Sequence, residues 1–409
     1  MDLLPHTELY DEEIKDQKKY FSKWSEYFRI AKTVSLLAFV SAILISVFFF
    51  GDSITYDNFQ LLIRNIDSEY YSSSEESQNV IYYNSDNNTV FEVLDGDLII
   101  AENQTVSLYS MSGRKIYSYS DSFTSPIVVT SDKYFIVYEK NGNKFSVYGK
   151  IGLLFQEEAC EFPISCAYIS DSGKFLIGTK SREYSTSVLL YNERFSLIGE
   201  FKNSRYLISC SLSSDGKYVA LATAEAENGV YKTVTTLYNT SSLYKSSNIE
   251  PNFKAELSGS FPLKIYFTKQ NKVLLCCDDV TLVYNSDGSI NSSYSYDRDL
   301  LTHLSYNGND RIALIFSSEE RIDKSSVNII DISGKLIYNN RNVNRVNDIS
   351  YKNDTLYLLS DGMISSLSEN GEMTEKALDI SRLIRRVFAY NSRSAIAVSN
   401  DASYLVNFE

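Results

Sequence analysis

The sequence predicts an all-β domain of repeated four-stranded units, preceded by one membrane-spanning helix. Three observations indicate this architecture. From residue 79 onward the sequence repeats with a period of about 40 residues. Tyr and Phe are abundant (32 and 22 residues) while Pro and Gly are scarce (5 and 17), a composition that suits strands joined by polar turns. Ahead of the repeats, residues 33–50 (TVSLLAFVSAILISVFFF) contain no charge, Pro or Gly.

The apolar run 33–50 is predicted to be an uncleaved transmembrane helix. A helix of this length extends about 27 Å, close to the roughly 30 Å hydrocarbon core of a bilayer. A cleaved signal peptide fits less well, because no small-x-small site follows the run. Bases precede it and acids follow it, so the N-terminus is predicted inside and the remainder outside the cytoplasmic membrane. The flanking charges are Lys18, Lys19, Lys23, Arg29 and Lys32 before the run, and Asp52, Asp57, Arg64, Asp67 and Glu69 after it.

The segments on either side of the span have simpler predicted roles. Residues 1–32 form a cytoplasmic leader, and within it residues 8–32 show aromatic side chains at helical spacing. Such a helix is predicted to lie at the membrane–water boundary, and a cytoplasmic docking helix is the alternative. Residues 51–78 form a connector, which ends in an acidic, Ser-rich stretch that is typical of a flexible tether.

Residues 79–409 contain eight repeats. Their first strands start near residues 89, 126, 164, 206, 262, 301, 346 and 384. The last repeat has only three strands, whereas one additional strand, 79–83 (NVIYY), precedes the first repeat. If that strand completes the last sheet, the ring closes as an eight-bladed β-propeller, with seven blades as the alternative. A pair of β-sandwiches does not explain the period.

Short turn motifs carry a resemblance to known propellers. The second strands follow Asp and Gly turns in ISDSGKFLIGT (169–179) and LSSDGKYVALAT (212–223), and the outer hairpins include LVYNSDGSI and IIDISGKLI. These motifs resemble blades of the WD40, TolB-like and quinoprotein-like groups, which implies a propeller over 79–409 but no particular activity. The order of leader, span, connector and propeller also resembles an uncharacterised bacterial family of single-pass membrane-anchored propellers.

Composition narrows the classes of ligand. The net charge is −13, which makes the protein a poor binder of nucleic acid. The five cysteines are odd in number, and their spacing indicates neither a disulfide framework nor a metal site. The repeats contain no Trp, which the quinone enzymes use to dock their blades. We therefore expect no cofactor and no metal.

Basic residues open several first strands, and these are the candidate ligand contacts at the channel mouth. If they converge, they could bind an anionic ligand or an acidic peptide. The alternative is that they pair with neighbouring acids such as Asp348. The hypothesis requires at least three of them in one funnel. The candidates are Arg205, Lys264, Arg345, Arg385 and Arg386, together with His303 in a neighbouring first strand. No catalytic residue is assigned, because a single His in the repeats is more typical of a structural residue.

The function predicted from these features is that of a membrane-anchored, extracytoplasmic binding or scaffold module for a protein complex or an envelope polymer. The alternative is a glycan-active hydrolase or lyase with carboxylates at the propeller mouth, and sensing is a third class. An enzyme requires two acids about 5–9 Å apart in a funnel, whereas a scaffold requires an exposed apolar or aromatic surface.

Overall fold

The computed structural model describes residues 20, 23–41, 80–241, 250–296, 300–318, 321–352, 354–378 and 383–408. The chain divides into two compact units, Met1–Tyr71 and Ser72–Glu409. In the first unit, residue 20 and residues 23–41 (α1) are helical. The second unit consists of β-strands.

No helix within the described residues is both long enough and apolar enough to cross a bilayer. Helix α1 contains the charged end of the leader and only the first half of the predicted span. Residues 42–50, which complete that span, and the whole predicted connector lie outside the described residues. Within α1 the Trp24 ring contacts Tyr27 and Phe28.

The second unit contains eight four-stranded antiparallel sheets, which we number as blades 1–8. Blades 1–4 comprise β2 (Val90–Leu94), β3 (Asp97–Ala101), β4 (Thr105–Tyr109) and β5 (Lys115–Ser120); β6 (Pro126–Thr130), β7 (Tyr134–Glu139), β8 (Phe145–Gly149) and β9 (Gly152–Glu157); β10 (Ile164–Ile169), β11 (Phe175–Thr179), β12 (Thr186–Tyr191) and β13 (Leu197–Asn203); and β14 (Tyr206–Leu212), β15 (Tyr218–Glu227), β16 (Val230–Asn239) and β17 (Phe253–Ser258).

Blades 5–8 follow the same order. They comprise β18 (Pro262–Phe267), β19 (Val273–Cys277), β20 (Val280–Tyr284) and β21 (Ile290–Ser295); β22 (Leu300–Tyr306), β23 (Arg311–Ser318), β24 (Arg321–Asp331) and β25 (Leu336–Asn344); β26 (Val346–Lys352), β27 (Thr355–Ser360), β28 (Met363–Leu367) and β29 (Met373–Ala377); and β30 (Arg386–Asn391), β31 (Ser394–Val398), β32 (Ala402–Asn407) and β1 (Val80–Tyr82). The first-named strand of each blade is the innermost.

The eight-bladed propeller predicted from the repeats is confirmed. Strand β1 pairs with β32, with Ile81 opposite Ser403, and so supplies the fourth strand of blade 8. Because the first and last strands share one sheet, the ring has no unpaired junction between its ends. The innermost strands start within about two residues of the predicted positions.

Glycine determines the tight turns that follow the innermost strands. Gly173 and Gly216 have φ values of 86° and 64°, a region that a residue with a Cβ rarely adopts. They occupy the two turn motifs that resemble other propellers. Buried aliphatic and aromatic side chains then fill the spaces between neighbouring blades, as between blades 8 and 1, where Ile81 packs against Phe91 and Phe388.

Alternating strand direction gives the ring two distinct faces. The innermost strands all begin at one face, which we call the start face, and end at the other, the end face. The turns between second and third strands also lie on the start face, since neighbouring strands are antiparallel. The long β15–β16 hairpin, with ten residues in each strand, also lies on this face.

Candidate functional site

A shared irregularity shapes the inner wall of the channel. The innermost strands of blades 3–7 each contain a β-bulge after the first one or two paired residues. A bulge re-aims the side chains that follow it. The residue after each bulge therefore occupies the same position in its blade; these residues are Cys166, Ser209, Lys264, His303 and Asp348.

Side chains at this position contact the next blade. The Ser209 hydroxyl accepts a hydrogen bond from the Ile265 amide at 3.2 Å. Asp348 Oδ2 accepts from the Val387 amide at 2.8 Å. Because Val387 corresponds to Ile265, Arg386 occupies the Lys264 position in blade 8. We call this level of the wall the channel ring; it comprises Glu92, Cys166, Ser209, Lys264, His303, Asp348 and Arg386.

One guanidinium group joins two carboxylates in the channel ring. Arg386 Nε donates to Asp348 Oδ2 at 3.0 Å. On the other side, Arg386 Nη2 lies 3.8 Å from Glu92 Oε1 in blade 1. Arg386 thus connects blades 7, 8 and 1 at the place where the ring closes. Its charge is neutralised by these two acids, which limits its availability to a ligand.

Glu92 is a titratable group in an unusual environment. Burial raises the pKa of its carboxyl to about 7, and the negative charge of Asp348 acts in the same direction, although Arg386 and Lys264 oppose the shift. The side chain keeps 28% of its surface accessible. Glu92 therefore changes its charge near neutral pH.

Lys264 and His303 differ in how they are held. Both His303 ring nitrogens are engaged, Nδ1 with Thr302 Oγ1 and Nε2 with the Asn347 carbonyl, each at 3.1 Å. The Lys264 ammonium makes no hydrogen bond or ion pair with any residue in the described part of the chain. Lys264 lies in blade 5, opposite blade 1 in the ring, and its charge nevertheless lowers the pKa of Glu92 in blade 1. Lys264 is the ring base with the most accessible charge.

The structure places the predicted contacts at two levels. Lys264, His303 and Arg386 share the channel ring. Three others immediately precede an innermost strand at the start face: Arg205, Arg345 and Arg385. Arg205 Nε bonds to Glu225 at 2.8 Å, and Arg385 Nη2 bonds to Asn87 at 3.3 Å. Arg345 borders an open cavity of about 520 Å³ with Asp323 and Asp361.

A second cavity, of about 560 Å³, opens at the end face. It is lined by residues of blades 1–7 around the ends of the innermost strands. The Tyr266 and Tyr306 rings contact each other there, with centroids 5.2 Å apart. Across the opening, Lys352 of blade 7 pairs with Asp132 of blade 2 at 3.1 Å. These groups make the end-face cavity polar with an aromatic wall. Nowhere within the described residues does a cluster of His, Cys, Asp and Glu occur that could hold a metal.

Sequence reasoning missed Glu92 and the end-face cavity. The candidates predicted from the sequence are mainly bases at the start of strands, whereas Glu92 lies in the middle of β2, in FEVL. An acid between apolar residues in an innermost strand is a signal that could have identified it. The end-face tyrosines carried no such signal, because tyrosine is common throughout the repeats.

Replacing Glu92 with Gln is expected to stabilise the protein at pH 8 but not at pH 5. The folded pKa of about 7 exceeds the ordinary value of 4.5, so the unfolded chain loses this proton first as the pH rises. Stability is therefore lost between about pH 4.5 and 7, and the uncharged amide avoids that loss. We expect a gain in the free energy of unfolding of about 1–3 kcal/mol at pH 8, measured by urea unfolding at both pH values. Glu375→Gln, on the exposed outer strand of blade 7, is the control, and equal pH responses of the two variants would contradict the prediction.

Solved structures confirm the fold. BamB from Moraxella catarrhalis aligns with a TM-score of 0.52 and 13% identity, covering 82% of this chain and 99% of BamB. Sqt1 from Chaetomium thermophilum aligns with a TM-score of 0.55 and 11% identity, covering 81% and 98%. Apo AztD from Citrobacter koseri gives 0.50 and 9%, covering 71% and 86%. At these identities the similarity shows the propeller fold alone.

Sequence comparison assigns the family. No curated protein is similar enough in sequence to match. One family model does match, over residues 67–405, which includes all of the described propeller strands except the last two residues of β32. The chain therefore belongs to the family of unknown function DUF5711.

Proposed function

We propose that this protein is a membrane-tethered scaffold that binds a protein partner through the start face of its propeller. One observation carries the proposal. Among the described propeller residues, the large apolar or aromatic side chains that are highly exposed concentrate on the start face. Those on the start face are Tyr82, Tyr184, Tyr206, Val230, Tyr231, Leu300, Ile322 and Leu383; those at the end face are Leu197, Ile290, Leu336, Ile337 and Tyr390.

The exposed side chains of blades 3 and 4 lie on neighbouring elements of the start face. Ser185 Oγ, next to Tyr184, donates to the Ser204 carbonyl at 2.6 Å, which brings Tyr184 close to the start of β14 and Tyr206. Tyr231, at the tip of the β15–β16 hairpin, packs edge-on against Phe261 at 5.1 Å between centroids. We call Tyr184, Tyr206, Val230 and Tyr231 the blade 3–4 patch.

Several properties favour a protein as the partner. Tyrosine supplies a large contact area at low conformational cost and is enriched at interface hot spots. Hydrophobic side chains on a raised hairpin are exposed to water unless another surface covers them. An anionic polymer is a poorer match, because the net charge of −13 repels it. The start face therefore fits a protein partner with a complementary apolar surface.

The partner should be captured by the full chain in the cells that produce it. We expect chemical cross-linking of a tagged chain, followed by mass spectrometry, to recover a partner from the wild type. The double variant Tyr206→Asp/Tyr231→Asp should reduce that recovery at least about 10-fold, since truncating a hot-spot tyrosine at an interface costs about 2 kcal/mol or more. Ile290→Asp, an equally exposed site at the end face, is the matched control. If the double variant retains the partner and the control variant loses it, the partner does not bind at the start face.

Membrane attachment rests on the sequence of residues 33–50, and we propose that it anchors the protein with the propeller outside the cytoplasmic membrane. The full chain should sediment with membranes and resist extraction by alkaline carbonate, because an apolar helix of this length partitions into lipid. A chain lacking residues 33–50 should be soluble. Exposed lysines of the propeller should react with an impermeant reagent that is added to intact cells. Reaction only after lysis would reverse the orientation, and carbonate extraction of the full chain would argue against the anchor.

A second candidate function is that of a glycan-active enzyme, and the carboxylates of Glu92 and Asp348 are the observation in its favour. They are two carboxylates in one channel, and the pKa of Glu92, raised to about 7, suits a general acid. However, the Arg386 guanidinium contacts both carboxylates and occupies the space that a glycosidic oxygen would require. The scaffold is therefore the better-supported function.

A further inference from the structure

Two thiols from neighbouring blades meet at the channel ring. Cys166 lies in β10 of blade 3 and Cys210 in β14 of blade 4, and their Sγ atoms are 3.7 Å apart. Both are free thiols. This distance is a non-bonded contact, since a disulfide requires about 2.05 Å. To form a disulfide the two sulfurs would have to approach each other by about 1.7 Å.

The local structure exposes one thiol and buries the other. Cys166 is partly accessible, whereas Cys210 is buried in the core between blades 3 and 4. Opposite Cys166 in β11 is Gly178, where an added Cβ would lie 2.8 Å from the Cys166 sulfur. Gly178 does not have a positive φ, so its lack of a side chain provides space for the thiol. A reagent in the channel therefore meets Cys166 first.

Charge and hydrogen bonding distinguish the two thiols chemically. The contact with Cys210 lowers the pKa of the Cys166 thiol, and the Lys264 ammonium acts in the same direction against the effect of burial. The same contact, together with burial, raises the pKa of Cys210. The other titratable side chains near the pair are the phenols of Tyr138 and Tyr168. The thiolate, which is the reactive form, is thus favoured at Cys166.

We propose that Cys166 and Cys210 form a thiol–disulfide exchange site, in which Cys166 attacks a small-molecule disulfide that enters the channel and Cys210 resolves the product. This inference is independent of partner binding at the start face. Lys264, which shares the channel ring with Cys166, adds a positive charge that favours the Cys166 thiolate.

The exchange balances with a disulfide such as oxidised glutathione as the oxidant. The Cys166 thiolate forms a bond to one glutathione sulfur, and the glutathione S–S bond breaks, releasing one thiolate that takes a proton. Cys210 then loses its proton and attacks the Cys166 sulfur, which releases the second glutathione thiolate. Two electrons pass from the protein to glutathione, and the protein gains one S–S bond linking blades 3 and 4.

The test uses the purified full chain in detergent, treated with oxidised glutathione. We expect two of the five free thiols to disappear, a peptide linking Cys166 to Cys210 to be found by mass spectrometry, and dithiothreitol to reverse both changes. The Cys210→Ser variant should instead accumulate glutathione on Cys166. Cys160→Ser, which removes a different buried thiol, should behave like the wild type.

Several results would overturn the proposal. One is the absence of both the linked peptide in the wild type and the glutathione adduct in Cys210→Ser. Another is a linked peptide that involves Cys160, Cys276 or Cys277. The rate gives an independent measurement, since Lys264→Met should slow formation of the adduct about 3–10-fold at neutral pH. An unchanged rate would remove Lys264 from the site.

Discussion

Replacing Ile81 with Asp is expected to lower the free energy of unfolding by about 4–5 kcal/mol or more. Ile81 is only 1% exposed and packs in the core between the last and first blades. Substitution by Ala alone would cost about 2–5 kcal/mol through lost burial and a cavity. Asp adds a carboxylate for which this apolar core offers no partner. The effect should appear as a large decrease in Tm by circular dichroism.

The adjacent residue provides the control. Tyr82 lies in the same short strand but is 69% exposed, so Tyr82→Asp should change the free energy of unfolding by less than about 0.5 kcal/mol. If Ile81→Asp does not fold, the milder Ile81→Ala still measures the contribution of ring closure. Equal stabilities of the Ile81 and Tyr82 variants would mean that β1 does not hold blade 8 in the ring.

Removing the Asp121 carboxylate should have the next largest effect, about 3–5 kcal/mol in Asp121→Ala. The side chain, 2% exposed, lies between blades 1 and 2 and pairs with Lys144 Nζ at 2.6 Å. It also accepts hydrogen bonds from Ser146 at 2.6 Å and Tyr148 at 2.7 Å. Its loss leaves a largely buried ammonium and two hydroxyl groups without their acceptor, which costs far more than the pair contributes net.

Glu158→Ala separates this buried network from a surface ion pair. Glu158 contacts the same Lys144 ammonium at 3.3 Å but is 67% exposed, so its removal should cost about 0–1 kcal/mol. Urea unfolding of both variants provides the comparison. Equal losses would show that the ammonium of Lys144, rather than the buried acceptor set, determines the stability of this junction.

The channel contacts show where sequence reasoning reached its limit. The bases at the start of the innermost strands could be read from the repeats, and Lys264, His303 and Arg386 do share one level of the channel. The pairing of Arg386 with both Glu92 and Asp348 could not be read in the same way. Glu92 and Arg386 are almost 300 residues apart, and only closure of the ring makes their blades neighbours. Two of the predicted bases, Arg205 and Arg386, pair with acidic side chains, as the alternative to ligand binding predicted.

The sequence by itself determined the repeat and the strand that closes the ring, and it favoured eight blades over the alternative of seven. These follow from alternating apolar residues and Gly-containing turns, which act over a few residues and recur in every blade. Only the tertiary structure decided which side chains share the channel ring, that Cys166 meets Cys210, and that the exposed apolar residues lie mainly on one face. Those relations depend on the β-bulges and on packing between blades, and neither leaves a periodic trace in the sequence.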